Sequence, residues 1–425
     1  MRIAMLSYHT CPLATLGGKD TGGMNVYVRE LTRQLGQFGL HVDIFTRSQD
    51  EHVPHVSHDL GYGNRVVHVP AGPEVPLPKQ ELTAYLPQFV AGVQDFARAR
   101  GIHYDLIHSH YWMSGIAALE LKAAWNTPIV HMFHTLVLMK NRVARQPSEI
   151  EGEYRLEGER KVLRAVDRIV AATPAELAQL QWLYKADTRR VTIVPPGVDL
   201  SRFYPIAPDE AKECVGIDCG NHMLLFVGRI EPLKGLDVLI KALAILRQEG
   251  LFERYPLCLA VIGGDPDASP EKMSAEMARV QVLCKRYGLQ DLVAFLGKRS
   301  QESLPYYYSA AEAVVMPSHY ESFGMVALES MACGTPVVAS QVGGLAFLVQ
   351  DGVTGYTVPS GDPKALAQRL AMLMQDGVLR QQMGRQAAHV AQEYGWNKIA
   401  ARIIAIYEEL LDMTRLGPAA GHHPL

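Results

Sequence analysis

His222-Met223-Leu224-Leu225-Phe226-Val227-Gly228-Arg229-Ile230-Glu231-Pro232-Leu233-Lys234-Gly235 is a short apolar run that breaks at once into a turn and then into a helical pattern. A run of this length bounded by turn residues has the size of a buried strand rather than a helix. The unit recurs. Downstream, strands are expected near 257–262, 292–296, 313–316 and 336–340, each followed by a helical pattern. Upstream, a first series predicts strands near 2–7, 41–46, 105–108, 128–133, 167–171 and 190–194, with helices near 23–38, 80–99, 112–124 and 152–166. Thr173-Pro174-Ala175-Glu176 reads as a capping box with proline at the first helical position. Strands alternating with helices predict an α/β protein whose parallel sheets are covered by crossover helices.

Two series imply two domains. Val194-Pro195-Pro196-Gly197-Val198-Asp199 lies between them, and its two prolines and glycine suit a hinge. The expected division is therefore 1–195 and 196–395. The amphipathic stretch from Trp396 to Leu411 predicts a last helix, 396–412, that must pack on something. Residues 413–425 read as a flexible tail.

Composition narrows the class. A chain of 425 residues has room for two or three domains, and with 48% hydrophobic and 20% charged residues it is not disordered. Its 41 Lys+Arg and 44 Asp+Glu give a net charge of -3, which offers no basic field for nucleic acid. Pro128 to Met139, the longest apolar stretch, holds about 12 residues, short of the ~20 that span a bilayer. Met1-Arg2 runs directly into a strand-like segment, so no export signal is expected and the location is expected to be cytoplasmic. The six cysteines, at 11, 214, 219, 258, 284 and 333, are expected to be reduced thiols. None of the 16 histidines forms a metal-ligand motif, so no metal site is expected. Tyr306-Tyr307-Tyr308 reads as packing and surface.

Three turns at carboxyl ends of expected strands, the edge where open α/β sheets bind ligands, carry chemistry. Thr15 to Asn25, with Gly22 and Gly23 leading into a helix, is either a plain turn or an anion-holding loop. Arg229 and Lys234 flank a proline turn and either converge on one diphosphate or are solvated surface charges. In Pro317 to Glu329, Glu321 sits in a turn and Glu329 two helical turns on, so both carboxylates can face one cleft. Paired acids suit sugar-hydroxyl binding or glycoside hydrolysis; the two cations on the neighbouring strand end disfavour a hydrolase. Gly343-Gly344 suggests close ligand approach.

Gly228-Arg229-x4-Lys234-Gly235, the two glutamates around Ser322-Phe323-Gly324, and Gly334-Thr335-Pro336-Val337 together resemble the retaining GT-B glycosyltransferases of family four, from Gly22 to Trp396. The resemblance implies two Rossmann-like domains with a nucleotide sugar in the cleft between them. It places Arg229 and Lys234 on the diphosphate, Glu329 on the ribose, and Glu321 with Ser322, Phe323 and Gly324 on the donor hexose. Gly22 and Gly23 join the donor site, and His134 touches the donor sugar from the first domain. Arg229, Lys234, Glu321 and His134 are the implied catalytic set.

Within the family the first domain is most similar to the enzymes that glycosylate D-inositol 3-phosphate, through Ala71-Gly72-Pro73, Lys79-Gln80-Glu81-Leu82, His108 to Trp112 and Lys140-Asn141. That likeness implies an acceptor-phosphate pocket of Asn25, Lys79, Tyr111, Thr135 and Arg155. Sucrose-phosphate synthases share much of the pattern, and Tyr320, beside Glu321, is common there where the inositol enzymes carry asparagine. The leading expectation is thus hexosyl transfer from a UDP-sugar to a phosphorylated polyol or sugar, with magnesium at most stimulatory and a homodimer allowed. The alternatives are sucrose-phosphate synthesis from UDP-glucose and fructose 6-phosphate, and a two-domain sugar-binding protein without catalysis.

Overall fold

The computed structural model describes residues 1–14, 21–144, 147–216, 222–269 and 273–416. Thr15 to Asp20 of the glycine-rich turn, Cys219 and most of the expected tail, 417–425, lie outside them. The strands of the first half are β1 (Arg2–Leu6), β2 (His41–Arg47), β3 (Val56–Ser57), β4 (Arg65–Val69), β5 (Leu106–His110), β6 (Ile129–Met132), β7 (Arg168–Ala171) and β8 (Val191–Ile193). They form one sheet in the order β3-β4-β2-β1-β5-β6-β7-β8, parallel except for the β3–β4 pair. The second half contributes β9 (His222–Val227), β10 (Leu257–Ile262), β11 (Val293–Gly297), β12 (Ala313–Met316), β13 (Val337–Ser340) and β14 (Gly355–Val358). They make an all-parallel sheet ordered β11-β10-β9-β12-β13-β14. In each sheet the strand order reverses beside the first strand of its half, β1 or β9, and a crevice opens at such a switch point.

Both sheets are covered on both faces, so β1, β9 and β10 are largely continuous apolar runs rather than alternating ones, and β5 is buried along its whole length although it carries His108, Ser109 and His110. β3, β4 and β14 were not expected from the sequence. Arg65-Val66-Val67-His68-Val69 mixes charge into a five-residue run, and β14 opens on glycine, so neither stands out from a loop. The helix expected over 80–99 is interrupted: Lys79–Leu82 and a tight turn, Thr83–Tyr85, precede Leu86–Ala99. Pro87 has no amide donor and is accommodated in the first turn of a restarted helix. At the expected capping box, Thr173 Oγ1 accepts from the Glu176 amide at 3.1 Å. Glu176 itself accepts from Ala172 N at 2.7 Å, one residue further back than a box requires.

The chain passes from one domain to the other at Pro195-Pro196-Gly197 and returns at Gly395-Trp396. The two crossings are tied together: Val198 N donates to Tyr394 O at 2.8 Å and Trp396 N to Val198 O at 3.2 Å. A Cβ on Gly197 would lie 2.6 Å from the Trp396 ring, so glycine there lets the crossings touch. The last helix, Trp396–Leu416, is longer than the expected 396–412. Its Ile399, Ile403 and Tyr407 are buried, and Tyr407 Oη lies 2.6 Å from His108 Nδ1 on β5, so the helix packs back on the first domain.

No described helix is long and apolar enough to cross a membrane. Cys11, Cys214, Cys284 and Cys333 are free, but Cys258 is disulfide-bonded, against the expectation of six reduced thiols. Strand pairing places Cys258 beside Met223 at the start of β9, a neighbourhood that cysteine spacing along the chain does not reveal.

Candidate active site

A cavity of about 810 Å³ runs between the carboxyl edges of the two sheets, and every residue that the resemblance assigns to the donor or acceptor site lines it. The second-domain wall is built by two turns that touch. Gly235 adopts φ 67°, and a Cβ there would lie 2.0 Å from Pro317 O; His319 N donates to Leu233 O at 2.8 Å. This contact brings Lys234 Nζ to 2.5 Å from Glu321 Oε2 across 87 residues of sequence. Arg229 Nη1 is paired with Glu231 Oε1 at 2.8 Å. Each of the two cations therefore lines the cleft with a carboxylate beside it, Arg229 more exposed than Lys234. Gly343 and Gly344 serve this wall rather than a ligand. A Cβ on Gly343 would lie 1.9 Å from Glu321 O, one on Gly344 2.3 Å from Phe323 Cα, so both let the backbone of the loop press against the Glu321 turn.

Glu329 is buried on the helix Met325–Ala332, with Tyr308 Oη donating to its Oε2 at 2.7 Å. Burial pushes its carboxyl up to about 7, against the pull of the Tyr308 bond and of Arg202 and Arg29. Tyr308 packs in the core, as the sequence reading has it, and from there also holds a carboxylate of the cavity wall. Its signal was the position one turn before β12, which a run of three tyrosines obscured. Tyr307 Oη likewise accepts from Arg299 Nε at 3.0 Å, and Arg299 lines the cavity.

On the first-domain wall, Gly22 caps the helix Gly23–Gln37, and a Cβ on Gly23 would lie 3.2 Å from Met325 Sδ across the cleft. Asn25 is buried. Its amide donates to Thr10 Oγ1 at 2.8 Å and Cys11 O at 2.7 Å, and its Oδ1 accepts from Gly22 N at 2.9 Å. These bonds shape the turn that leads into the helix. His134 has a left-handed backbone, φ 61°, and its Nε2 lies 3.0 Å from His110 Nδ1. Desolvation pushes His134 down to about 3, so it faces the cleft neutral. Tyr111 is held at φ 72° and ψ 152°, a region nearly confined to glycine that costs about 1–3 kcal/mol. This aims its ring so that Arg155 Cζ lies 5.0 Å and Lys79 Nζ 5.9 Å from the centroid.

Arg155 is 1% exposed. It donates from Nε to Glu159 at 2.8 Å, from Nη1 to Glu151 at 2.6 Å, and from Nη2 to Thr135 O at 3.1 Å and Thr135 Oγ1 at 2.9 Å. Lys79, Tyr111, Thr135 and Arg155 therefore converge at one end of the cleft. Among the described residues, no group of three or more His, Cys, Asp or Glu could hold a metal ion.

Paired Rossmann-like lobes, with cations at one switch point and a second cationic pocket facing them, define a two-lobed transferase of the GT-B architecture. Residues 21–202 match the Glycosyltransferase Family 4 model and residues 209–390 that of Glycosyl transferases group 1. A D-inositol 3-phosphate glycosyltransferase of Actinosynnema mirum is 41% identical over 97% of this chain and 98% of its own. The structure of sucrose-phosphate synthase from Thermosynechococcus elongatus superposes with TM-score 0.87 at 34% identity, covering 97% of this chain and 99% of that one. HepE of Anabaena, solved with UDP and glucose, shares the fold at TM-score 0.73 and 20% identity, over 96% of this chain and 100% of that one. The chain belongs to the group 1, family four glycosyltransferases, and membership in that enzyme family displaces the reading as a sugar-binding protein.

Proposed function

We propose that the protein transfers a hexosyl group, with retention, from a UDP-sugar to a small phosphorylated polyol, D-inositol 3-phosphate or a close analogue. The observation that carries this reading is the convergence of Lys79, Arg155, Thr135 and Tyr111 at one end of a cleft whose other wall carries Arg229, Lys234 and Glu329. One end suits a phosphomonoester and the other a nucleoside diphosphate. The 41% identity to an enzyme named for inositol 3-phosphate supports the acceptor. Transfer to fructose 6-phosphate is the second reading, supported by the sucrose-phosphate synthase structure and by Tyr320 in the cavity wall.

As the glycosidic bond breaks, negative charge grows on the departing diphosphate. Lys234, with one ammonium hydrogen on Glu321 and two others left, and Arg229 stabilise that charge where it forms. Glu329 accepts from the ribose hydroxyls through the oxygen that Tyr308 does not use. Glu321, oriented by Lys234, and the amides of Ser322, Phe323 and Gly324 hold the hexose, with neutral His134 contacting it from the opposite lobe. The protein's own cations serve the diphosphate, so excess chelator is expected to leave turnover in place; loss restored by manganese or magnesium would refute that.

The test is a UDP-release screen that crosses UDP-glucose and UDP-N-acetylglucosamine with inositol 3-phosphate, fructose 6-phosphate and their unphosphorylated forms. The expected result is release only with a phosphorylated acceptor, inositol 3-phosphate foremost, and a product that retains the donor's anomeric configuration. Equal use of inositol and inositol 3-phosphate would refute the acceptor assignment.

A further inference from the structure

The phosphate end of the cleft already contains an anion of the protein's own. Glu151 accepts from Arg155 Nη1 through Oε2 at 2.6 Å and from Lys140 Nζ through Oε1. Arg155 and Lys140 both line the cavity. A guanidinium carries five N–H donors, and Arg155 spends bonds from Nε on Glu159, from Nη1 on Glu151 and from Nη2 on Thr135. What remains free on Nη1 is not enough for the two-pronged grip by which arginine recognises phosphate. A phosphate that takes that grip must displace one of these partners.

The partners are not equally displaceable. Glu159 is fully buried and also accepts from Tyr184 Oη and from Val137 N at 3.1 Å, so removing it would orphan three donors in the interior. Glu151 is half-buried, and among the described residues its carboxylate pairs with two partners, both cationic. Its backbone is fixed separately: Asn141 Nδ2 donates to Glu151 O at 3.0 Å and Glu151 N to Asn141 Oδ1 at 2.9 Å. The side chain can therefore swing away while its Cα stays clasped. Glu159 is the permanent counter-ion of Arg155, and Glu151 is the exchangeable one.

We propose that the Glu151 carboxylate is a built-in stand-in for the acceptor's phosphate, which occupies Arg155 and Lys140 until a phosphate dianion displaces it. The exchange replaces one negative charge by two on the same cations, so it is favourable for a dianion and close to neutral for a carboxylate or other monoanion. Glu151 thereby acts as a specificity-determining residue that sets the charge an acceptor must bring. This rests on the reading that the acceptor carries a phosphate.

The test uses the full-length protein and inorganic phosphate as probe, titrated by calorimetry at fixed ionic strength into wild type, Glu151→Gln and Glu151→Asp, with UDP titrated in parallel to certify the fold. Glutamine leaves the Asn141 clasp intact, because the clasp uses only the backbone of residue 151. Glu151→Gln is expected to bind phosphate at least tenfold more tightly than wild type and to lower the KM for inositol 3-phosphate in the same sense. Glu151→Asp, with a shorter reach to both cations, is expected to move the same way by a smaller factor. Unchanged or weaker phosphate binding in both variants, with UDP affinity retained and wild type still selecting phosphorylated acceptors, would overturn the role of Glu151 alone. Wild type that turns over inositol as well as its phosphate, and binds no phosphate with or without Glu151, would overturn the acceptor reading and this proposal together.

Discussion

Lowering the pH from 8 to 6 is expected to weaken the binding of uridine about tenfold, through one carboxyl group. Glu329 sits buried in the second-domain wall of the cleft with Tyr308 on Oε2, and burial raises its carboxyl to about 7. The ionised form is the stronger acceptor for the ribose hydroxyls, because its bonds to them are charge-assisted. The sign follows: a raised value means that the empty site is increasingly protonated below pH 7, and ribose binding must expel that proton. With a midpoint near 7, the ionised fraction is about nine-tenths at pH 8, about half at pH 7 and about one-tenth at pH 6. Affinity scales with that fraction. Uridine rather than UDP is the proper probe, because it lacks phosphates that titrate in the same range. Calorimetry in buffers of differing ionisation enthalpy should record release of about half a proton per uridine at pH 7. Glu329→Gln keeps an acceptor oxygen and removes the titration, so its affinity is expected to be lower by about 1.5–3 kcal/mol at pH 8 and flat with pH. Glu176, which burial also raises to about 7, is untouched by that variant. A flat wild-type profile, or a sloping one in Glu329→Gln, would refute the assignment.

Three further outcomes follow from the same geometry. Lys234→Ala is expected to lower turnover by about 10²-fold or more, the scale of one electrostatic stabiliser, as measured by single-turnover kinetics; a change of only a few-fold would remove Lys234 from the diphosphate. Lys79→Ala is expected to raise the acceptor KM at least tenfold with UDP affinity unchanged, whereas Arg155→Ala also strips Glu159 of its partner in the interior and is expected to cost about 3–5 kcal/mol of stability in denaturant titration. Burial pushes His108 and His134 down to about 3 and His9, His110 and His131 well below 6.5. Groups lowered on folding hold the native state above their unfolded value, so stability is expected to fall as the pH drops below about 6.5, by about 1.4 kcal/mol per pH unit for each histidine that stays neutral in the folded state. Stability unchanged at pH 5 by circular dichroism melts would contradict their neutral burial.

The legible part of the site comprised residues whose place follows from strand–turn–helix order. Arg229, Lys234, Glu321 and Glu329 stand at carboxyl ends of strands visible as apolar runs, and that edge faces a cleft in any doubly wound sheet. The carboxylate contact of Tyr308 was missed because a helix residue facing inward looks the same in sequence whether it packs against leucine or holds a carboxylate. Asn25 stands in the expected wall, and the partners of its amide, Thr10 and Cys11, come from the segment after β1, which no pattern around Asn25 announces.

By itself the sequence determined the α/β class, the two lobes and the edges along which chemistry is placed, because apolar periodicity and turn residues report local conformation and which face is covered. Tertiary structure decided who pairs with whom. Lys234 meets Glu321 only because β9 and β12 are neighbours and the Gly235 turn fits under Pro317. Arg155 has one permanent and one exchangeable counter-ion only because Tyr184 and Val137 close over Glu159, while Asn141 clasps Glu151 from a different segment. Charge partners are set by distances between segments far apart in the chain, and no local pattern encodes those distances.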